Sequence, residues 1–169
     1  MNVLVVDGYN IIGAWDELKR LKLEDIGQAR DRLIELLADY QAFSGMRVIV
    51  VFDAYYVKGM ENRHKEYQVE IIYTKENETA DECIERLVKE LKNVLNQVYV
   101  ATSDYAEQRT IFGRGALRKS ARELYIELNT IDREIADKIE ENWQSGRPLK
   151  IPLKKDVLDK FEKWRRGDA

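Results

Sequence analysis

Four aspartates occupy positions at which a carboxylate can do chemistry. Asp7, Asp53 and Asp104 each follow a short apolar run: Val3-Leu4-Val5-Val6 before Asp7, Arg47 to Phe52 before Asp53, and Gln97 to Ala101, continued through Thr102-Ser103, before Asp104. Asp81 lies inside Thr79-Ala80-Asp81-Glu82, a match to the capping box that opens a helix. Brought together, these groups cannot stay undressed, because two unit charges about 4 Å apart repel by about 4 kcal/mol at an effective dielectric near 20. They must take up cations or protons. An oxygen-only donor set suits a hard cation, Mg²⁺ or Mn²⁺, and not zinc. The chemistry such ions support is phosphoryl transfer to water, in which one ion generates hydroxide and a second stabilises the leaving oxygen. No side-chain nucleophile is then required. The residues left over agree: the single Cys83 falls within a helical pattern and reads as structural, and the single His64, in the charged stretch Asn62-Arg63-His64-Lys65-Glu66, reads as a solvated loop residue.

Each aspartate taken alone has a plainer explanation as an Asx-turn or an N-cap. Asp104 is the most open to it, since Asp104-Tyr105-Ala106-Glu107 itself matches a capping pattern. The conjunction of four is harder to dismiss than its members. Glu78 and Glu82 flank Asp81 and rank below the aspartates as metal ligands, Glu82 being already explained by capping. Asn10, three residues past Asp7, either orients water or phosphate or holds the turn.

The elements that must position these groups follow from the periodicity. The three continuous apolar runs fit strands buried on both faces, and a fourth strand, Val69 to Tyr73, carries Glu70 and reads as nearer an edge. Between them the period turns helical. Ile26, Ala29, Leu33, Leu36, Leu37 and Tyr40 recur at three and four, with Gly45 as the stop. Ile84, Leu87, Val88, Leu91 and Leu95 form one face after the Thr79 cap. A further helix is expected to start near Asp104, and another at Ser120-Ala121-Arg122-Glu123, running to about Trp143 before Ser145-Gly146-Arg147-Pro148 breaks it. Strands alternating with helices imply an α/β fold with a mostly parallel sheet, right-handed crossovers and helices on both faces. In such a sheet ligands sit outside the carboxyl ends of the strands. Those ends are where the aspartates fall.

The 169 residues include 28 Lys+Arg and 31 Asp+Glu, a net charge of −3, which counts mildly against a nucleic-acid partner. The distribution says more than the sum. Residues 1–104 hold 13 basic and 19 acidic groups, and residues 105–169 hold 15 and 12. Arg109, Arg114, Arg118, Lys119 and Arg122 crowd into the stretch directly after Asp104, against Glu107 alone. Phosphate contacts beside a metal site are what a nuclease needs, although a solvated helix face would carry the same charges. Tyr9, Tyr55, Tyr56 and Tyr105 fall near the same edge and can stack bases, with a core or rim role as the default. Gly113-Arg114-Gly115 is no dinucleotide fingerprint, because it lacks the third glycine and does not follow a strand, so no nucleotide cofactor is expected. One cysteine excludes an internal disulfide and a Cys-based zinc site. No apolar run approaches the roughly 20 residues that span a bilayer, and no basic segment precedes Val3. A cytoplasmic protein with no membrane partner is expected.

The combination Val5-Val6-Asp7-Gly8-Tyr9-Asn10, Val51-Phe52-Asp53-Ala54, Glu78-Thr79-Ala80-Asp81-Glu82 and Thr102-Ser103-Asp104-Tyr105-Ala106-Glu107-Gln108 resembles the NYN domain family, a PIN-like nuclease group, and more narrowly its YacP-like bacterial branch. Thr110 to Ala116 and Ser120 to Leu124 resemble that branch as well. The resemblance covers residues 1–145. It implies a three-layer α/β/α PIN-like fold and Mg²⁺- or Mn²⁺-dependent RNA cleavage, with Asp7, Asp53, Asp81 and Asp104 matching the family's acidic positions one by one. It further implies cleavage of mRNA in the setting of the ribosome, and so mRNA decay.

The resulting expectation is a cytoplasmic endoribonuclease. Asp7, Asp81 and Asp104 hold the metal ions, Asp53 is a further ligand or stands just behind them, and Asn10, Arg109, Arg114, Arg118 and Lys119 contact the RNA. Residues 1–145 form the nuclease domain, and residues 146–169 form a C-terminal extension whose short helix (Val157, Leu158, Phe161, Trp164) packs on it. The rival is a non-catalytic module that binds RNA or a ribosomal surface. A small-molecule phosphatase is weaker, because Asp7-Gly8-Tyr9 lacks the second aspartate of an Asp-x-Asp nucleophile.

Overall fold

In the computed structural model the described residues are 1–54, 63–66, 68–93, 96–104 and 115–145. Chain contacts divide the protein into two compact units, Met1–Tyr125 and Ile126–Ala169. The first unit holds the sheet. Its elements are β1 (Asn2–Asp7), α1 (Gly8–Ala14), α2 (Asp16–Glu24), α3 (Ile26–Ser44), β2 (Arg47–Phe52), β3 (Arg63–Glu66), β4 (Val69–Tyr73), α4 (Ala80–Leu91), β5 (Gln97–Ala101) and β6 (Leu117–Lys119). A last helix, α5 (Ala121–Ser145), begins in the first unit and supplies the described part of the second. Its end at Ser145 is where the C-terminal extension was expected to begin, and residues 146–169, with the expected tail helix, lie outside the described residues.

The sheet order is β3-β4-β2-β1-β5-β6. Five strands run parallel and β3 pairs antiparallel to β4. Val3, Leu4, Val5 and Val6 are all fully buried, as are Val48 to Phe52, which is why these strands read as unbroken apolar runs. One face carries Val3, Val5, Ile49, Val51, Val98 and Val100 against Ala80, Cys83, Ile84, Leu87 and Val88 of α4. The other face lies under α1 and α3, which bring in buried Ile11, Ile12, Leu33 and Leu37. Full burial of each such side chain contributes roughly 1.5–3 kcal/mol. The result is three layers, α/β/α.

Local signals account for the helix ends. Thr79 Oγ1 accepts from Glu82 N at 3.2 Å and Ser120 Oγ from Glu123 N at 3.0 Å, the N-cap bonds expected at both capping boxes. Gly45 ends α3 at φ 74°, a left-handed conformation that costs glycine little. Two expectations need correcting, those for His64 and for Arg118 with Lys119, while the strand carrying Glu70 does fall near an edge. His64 belongs to strand β3 and not to a loop, level with Ile71 of β4. The strand carrying Glu70 is one in from the edge, and Glu70 is buried because Arg47 grips it with two bonds, Nε to Oε2 at 2.6 Å and Nη2 to Oε1 at 2.9 Å. Arg118 and Lys119 lie in the edge strand β6 and not on a helix face. The helix expected near Asp104 falls on residues outside the described ones. Among the described residues no helix is long and apolar enough to cross a membrane.

Candidate active site at the carboxyl edge of the sheet

The chain leaves β1 through α1, α2 and α3 and returns as β2 on one side of β1; it leaves β4 through α4, on the opposite face, and returns as β5 on the other side of β1. Connections that depart to opposite faces open a crevice at the carboxyl ends of β1 and β5, the place where open parallel sheets bind ligands. Asp7 is the last residue of β1, level with Val51 of β2, while Val6 is level with Ala101 of β5. Asp53 and Asp104 therefore follow the ends of the two strands that flank Asp7. Asp81, the second residue of α4, enters from the same edge because α4 follows the parallel strand β4.

Their surroundings differ. Asp7 is only 7% exposed, and although it is the N-cap of α1 its side chain makes no capping hydrogen bond. The plain explanation of that aspartate as a helix cap does not hold. Asp53 and Asp104 are half-buried and Asp81 is exposed. Asp104 N donates to Thr102 Oγ1 at 3.1 Å, and Thr102 is fully buried, so the segment bearing Asp104 is turned locally. On the other flank, Ala54 N donates to Thr74 Oγ1 at 2.9 Å and Thr74 N to Phe52 O at 3.0 Å, which ties the end of β2, next to Asp53, to the end of β4.

Asn10 spans the crevice. Its Oδ1 accepts from Ser103 N at 2.6 Å and from Ser103 Oγ at 2.8 Å, across 93 residues of sequence. Of the two roles open to Asn10, this is the structural one: it fastens α1 to the segment that carries Asp104.

A second group of side chains lines the β2 side. The Tyr9 ring lies 5.1 Å from that of Phe52, and Phe52 stacks on Tyr73 at 5.7 Å. Phe52 is packed so close over Gly8 that a Cβ there would collide with the ring, which accounts for glycine directly after Asp7. Arg30 of α3 donates from Nη1 to Tyr9 Oη at 3.1 Å. Burial pushes the Tyr9 phenol up, the Arg30 guanidinium opposes this, and the nearby Tyr73 and Asp53 add to the rise. Arg30 went unnoticed in the sequence. It stands on the helix that leads into β2, far from every motif, and nothing in its local spacing marks it.

The other candidates are placed as follows. Glu78 Oε2 accepts from Arg86 Nη1 at 3.0 Å. Cys83 is buried in the core, and its thiol is pushed up to about 12 by burial and by Glu78. Lys119 Nζ sits 5.3 Å from the centre of the Tyr99 ring and 6.0 Å from that of Tyr40, and donates to Tyr40 Oη at 3.4 Å. Arg118 is exposed on β6. Arg109 and Arg114, with Tyr55, Tyr56 and Tyr105, lie outside the described residues.

The donors at this edge are carboxylate oxygens throughout, which in kind fits a hard divalent cation. As the side chains stand, no three His, Cys, Asp or Glu groups among the described residues lie close enough together to hold one ion. The fit is one of donor chemistry and of shared edge.

Comparison with known proteins agrees with this architecture. The family model for the YacP-like NYN domain matches residues 4–166, running past the stretch 1–145 in which the motifs fall. A Bacillus subtilis (strain 168) protein, "Uncharacterized protein YacP", is 55% identical over 168 residues, 99% of this chain and 99% of that protein. Crystal structures of Rae1 (YacP) from Bacillus subtilis superpose on it, the W164L mutant with a TM-score of 0.77 at 52% identity and another with 0.75 at 56%; each match covers 99% of this chain and 97% of the other. A family model spanning almost the whole sequence, a relative identical at more than half its positions and the carboxyl-edge architecture together place this chain in the YacP-like NYN domain family, a nuclease-type family whose work is with RNA.

Proposed function

We propose that the protein is a metal-dependent endoribonuclease that hydrolyses RNA phosphodiester bonds, with mRNA on the ribosome as substrate and the cytoplasm as its location. One observation carries the reading: Asp7, withdrawn from water at the end of the central strand, is not spent on capping its helix and stands between the strand ends that lead to Asp53 and Asp104. Asp7, Asp81 and Asp104 would hold Mg²⁺ or Mn²⁺, with Asp53 as a further carboxylate. When bound, the cation supplies a water acidic enough to attack at neutral pH and a charge that offsets the leaving oxygen. The chain's own residues do the rest. Asn10 fixes Ser103 and with it the segment of Asp104, while the buried position of Asp7 keeps its charge in a medium of low dielectric, where it acts strongly on a nearby cation. Arg118 on the exposed edge strand contacts backbone phosphate, joined by Arg109 and Arg114. Lys119, already engaged by Tyr40 and Tyr99, serves the packing of β6.

Purified protein should cut RNA with Mg²⁺ or Mn²⁺ and stop with EDTA. Asp7→Asn and Asp81→Asn should each lower the rate by about 100-fold or more, since even partners behind metal ligands are worth ten- to hundredfold. Binding of RNA without cutting, by wild type with either ion, on free RNA and on translating ribosomes alike, would replace this reading with a non-catalytic RNA- or ribosome-binding module.

A further inference from the structure

We propose that Arg30, oriented by Tyr9, is a phosphate-binding subsite for the RNA strand on the β2 side of the carboxyl edge. The inference rests on RNA being the substrate and adds to it a residue outside every motif of the family resemblance.

Three other guanidiniums, half-buried at Arg32 and Arg47 and exposed at Arg86, show what is unusual about Arg30. Arg32 closes on Glu17 at 2.8 Å and Glu35 at 3.1 Å, Arg47 on Glu70 at 2.6 Å, and Arg86 on Glu78 at 3.0 Å. Arg30 is half-buried as well, yet it forms no ion pair with a described carboxylate, and its hydrogen bond goes to the neutral hydroxyl of Tyr9. Asp25, the N-cap of the same helix, accepts from Gly27 N at 2.8 Å through Oδ1. A phenol aims a guanidinium without neutralising it. A partly desolvated cation that pairs with no carboxylate among the described residues is costly, and the cost is recovered when an anion arrives.

Position and shape identify the anion. Arg30 is the fifth residue of α3, and because α3 runs down to the start of β2, its first turns stand at the carboxyl edge. Tyr9 lies two residues past Asp7, with Asp53 close enough for its charge to be felt at the phenol. Of the five N–H groups of the guanidinium, the bond to Tyr9 uses one, and the planar fork that remains matches two oxygens of a phosphodiester. Arg118 lies on β6, at the opposite end of the sheet order from the strands under α3. The two cations bracket the aspartates, so a strand crossing the crevice meets one on each side.

The test is binding of labelled single-stranded RNA to full-length protein by fluorescence anisotropy over a series of KCl concentrations, in an Asp7→Asn background so that nothing is cut. Arg30→Met should weaken binding about tenfold at low salt and lower the slope of log K against log [salt] by about 0.7, the value of one phosphate contact on a single strand. Arg30→Lys should keep the slope and lose about threefold in affinity, and Tyr9→Phe should do the same by freeing the guanidinium. Arg30→Gln, which stays polar but carries no charge, should repeat the loss of slope and serves if Arg30→Met does not fold. Arg30→Met and Arg30→Gln with an unchanged slope, whether or not affinity falls, would overturn the subsite while leaving the nuclease reading intact. An otherwise wild-type chain that neither binds nor cuts RNA would overturn both.

Discussion

Two carboxylates among the described residues are withdrawn from water to the same degree, Asp7 at 7% exposure and Glu70 at 8%, and they sit in the same sheet on strands separated by β2. Glu70 is held in the body of β4 by a two-pronged guanidinium, and that grip is reason enough for its burial. Asp7 stands at a strand end beside a crevice, its side chain makes no capping hydrogen bond to the helix it precedes, and it is flanked by strands that lead to two further aspartates. Equal burial therefore says nothing about role. The partner that explains a buried charge, and whether the site opens to a ligand, decides between architecture and chemistry.

The largest expected effect separates the two. Asp7→Asn should remove cleavage while leaving the melting temperature unchanged or slightly raised, because relieving a concentration of negative charge offsets the lost carboxylate. Glu70→Gln should do the reverse: it turns a charge-assisted pair into a weaker one, costs roughly 1–3 kcal/mol, lowers the melting temperature by about 2–4 °C per kcal/mol, and leaves the rate per folded molecule within about twofold. Equal loss of stability in both variants, read by calorimetry, would break the comparison.

An intermediate effect tests the link across the crevice. Asn10→Ala deletes the acceptor shared by Ser103 N and Ser103 Oγ, and should slow cleavage about tenfold with little change in RNA affinity. Ser103→Ala, which removes only one of the two bonds, should cost less. If Asn10→Ala instead weakens RNA binding and leaves the rate at saturating substrate unchanged, Asn10 touches substrate and is no mere tie.

The smallest effect concerns the opposite face. The Cys83 thiol, raised to about 12 from an ordinary 9.0, should resist alkylation until the protein unfolds. Its sign in linkage is fixed: a folded-state value above the unfolded one gives stability that is complete below about pH 9 and is lost as pH rises towards 12. The melting-temperature difference between wild type and Cys83→Ala should narrow over that window.

Much of the frame was legible because buried parallel strands advertise themselves. β1, β2 and β5 are apolar on both faces, so each reads as a continuous run, and its end is marked by the first acid. Thr79, Ser120 and Gly45 mark helix ends through bonds and a backbone angle that few residue types supply. What escaped had no such signature. Helix α1 starts at Gly8 with no linker after β1, so Asp7-Gly8 looked like a turn, and α2 buries only Leu18 of its nine residues. Strands β3 and β6 are short and charged, and their backbone pairing leaves no mark on composition. For the site, the spacing located the aspartates at one edge, whereas the partners of Asn10 and Arg30 depend on which helix passes over which strand.

The order of the strands has a consequence for the protein's own birth. A chain emerging from the ribosome can pair β1, β2 and β4 and so possess Asp7 and Asp53, but Ser103 and Asp104 arrive only with β5, which docks on the far side of β1. The tie from Asn10 to Ser103 closes across 93 residues, a late event for a contact so distant in sequence. The carboxyl edge that gathers Asp7, Asp53 and Asp104 is therefore completed only after most of the chain has been made.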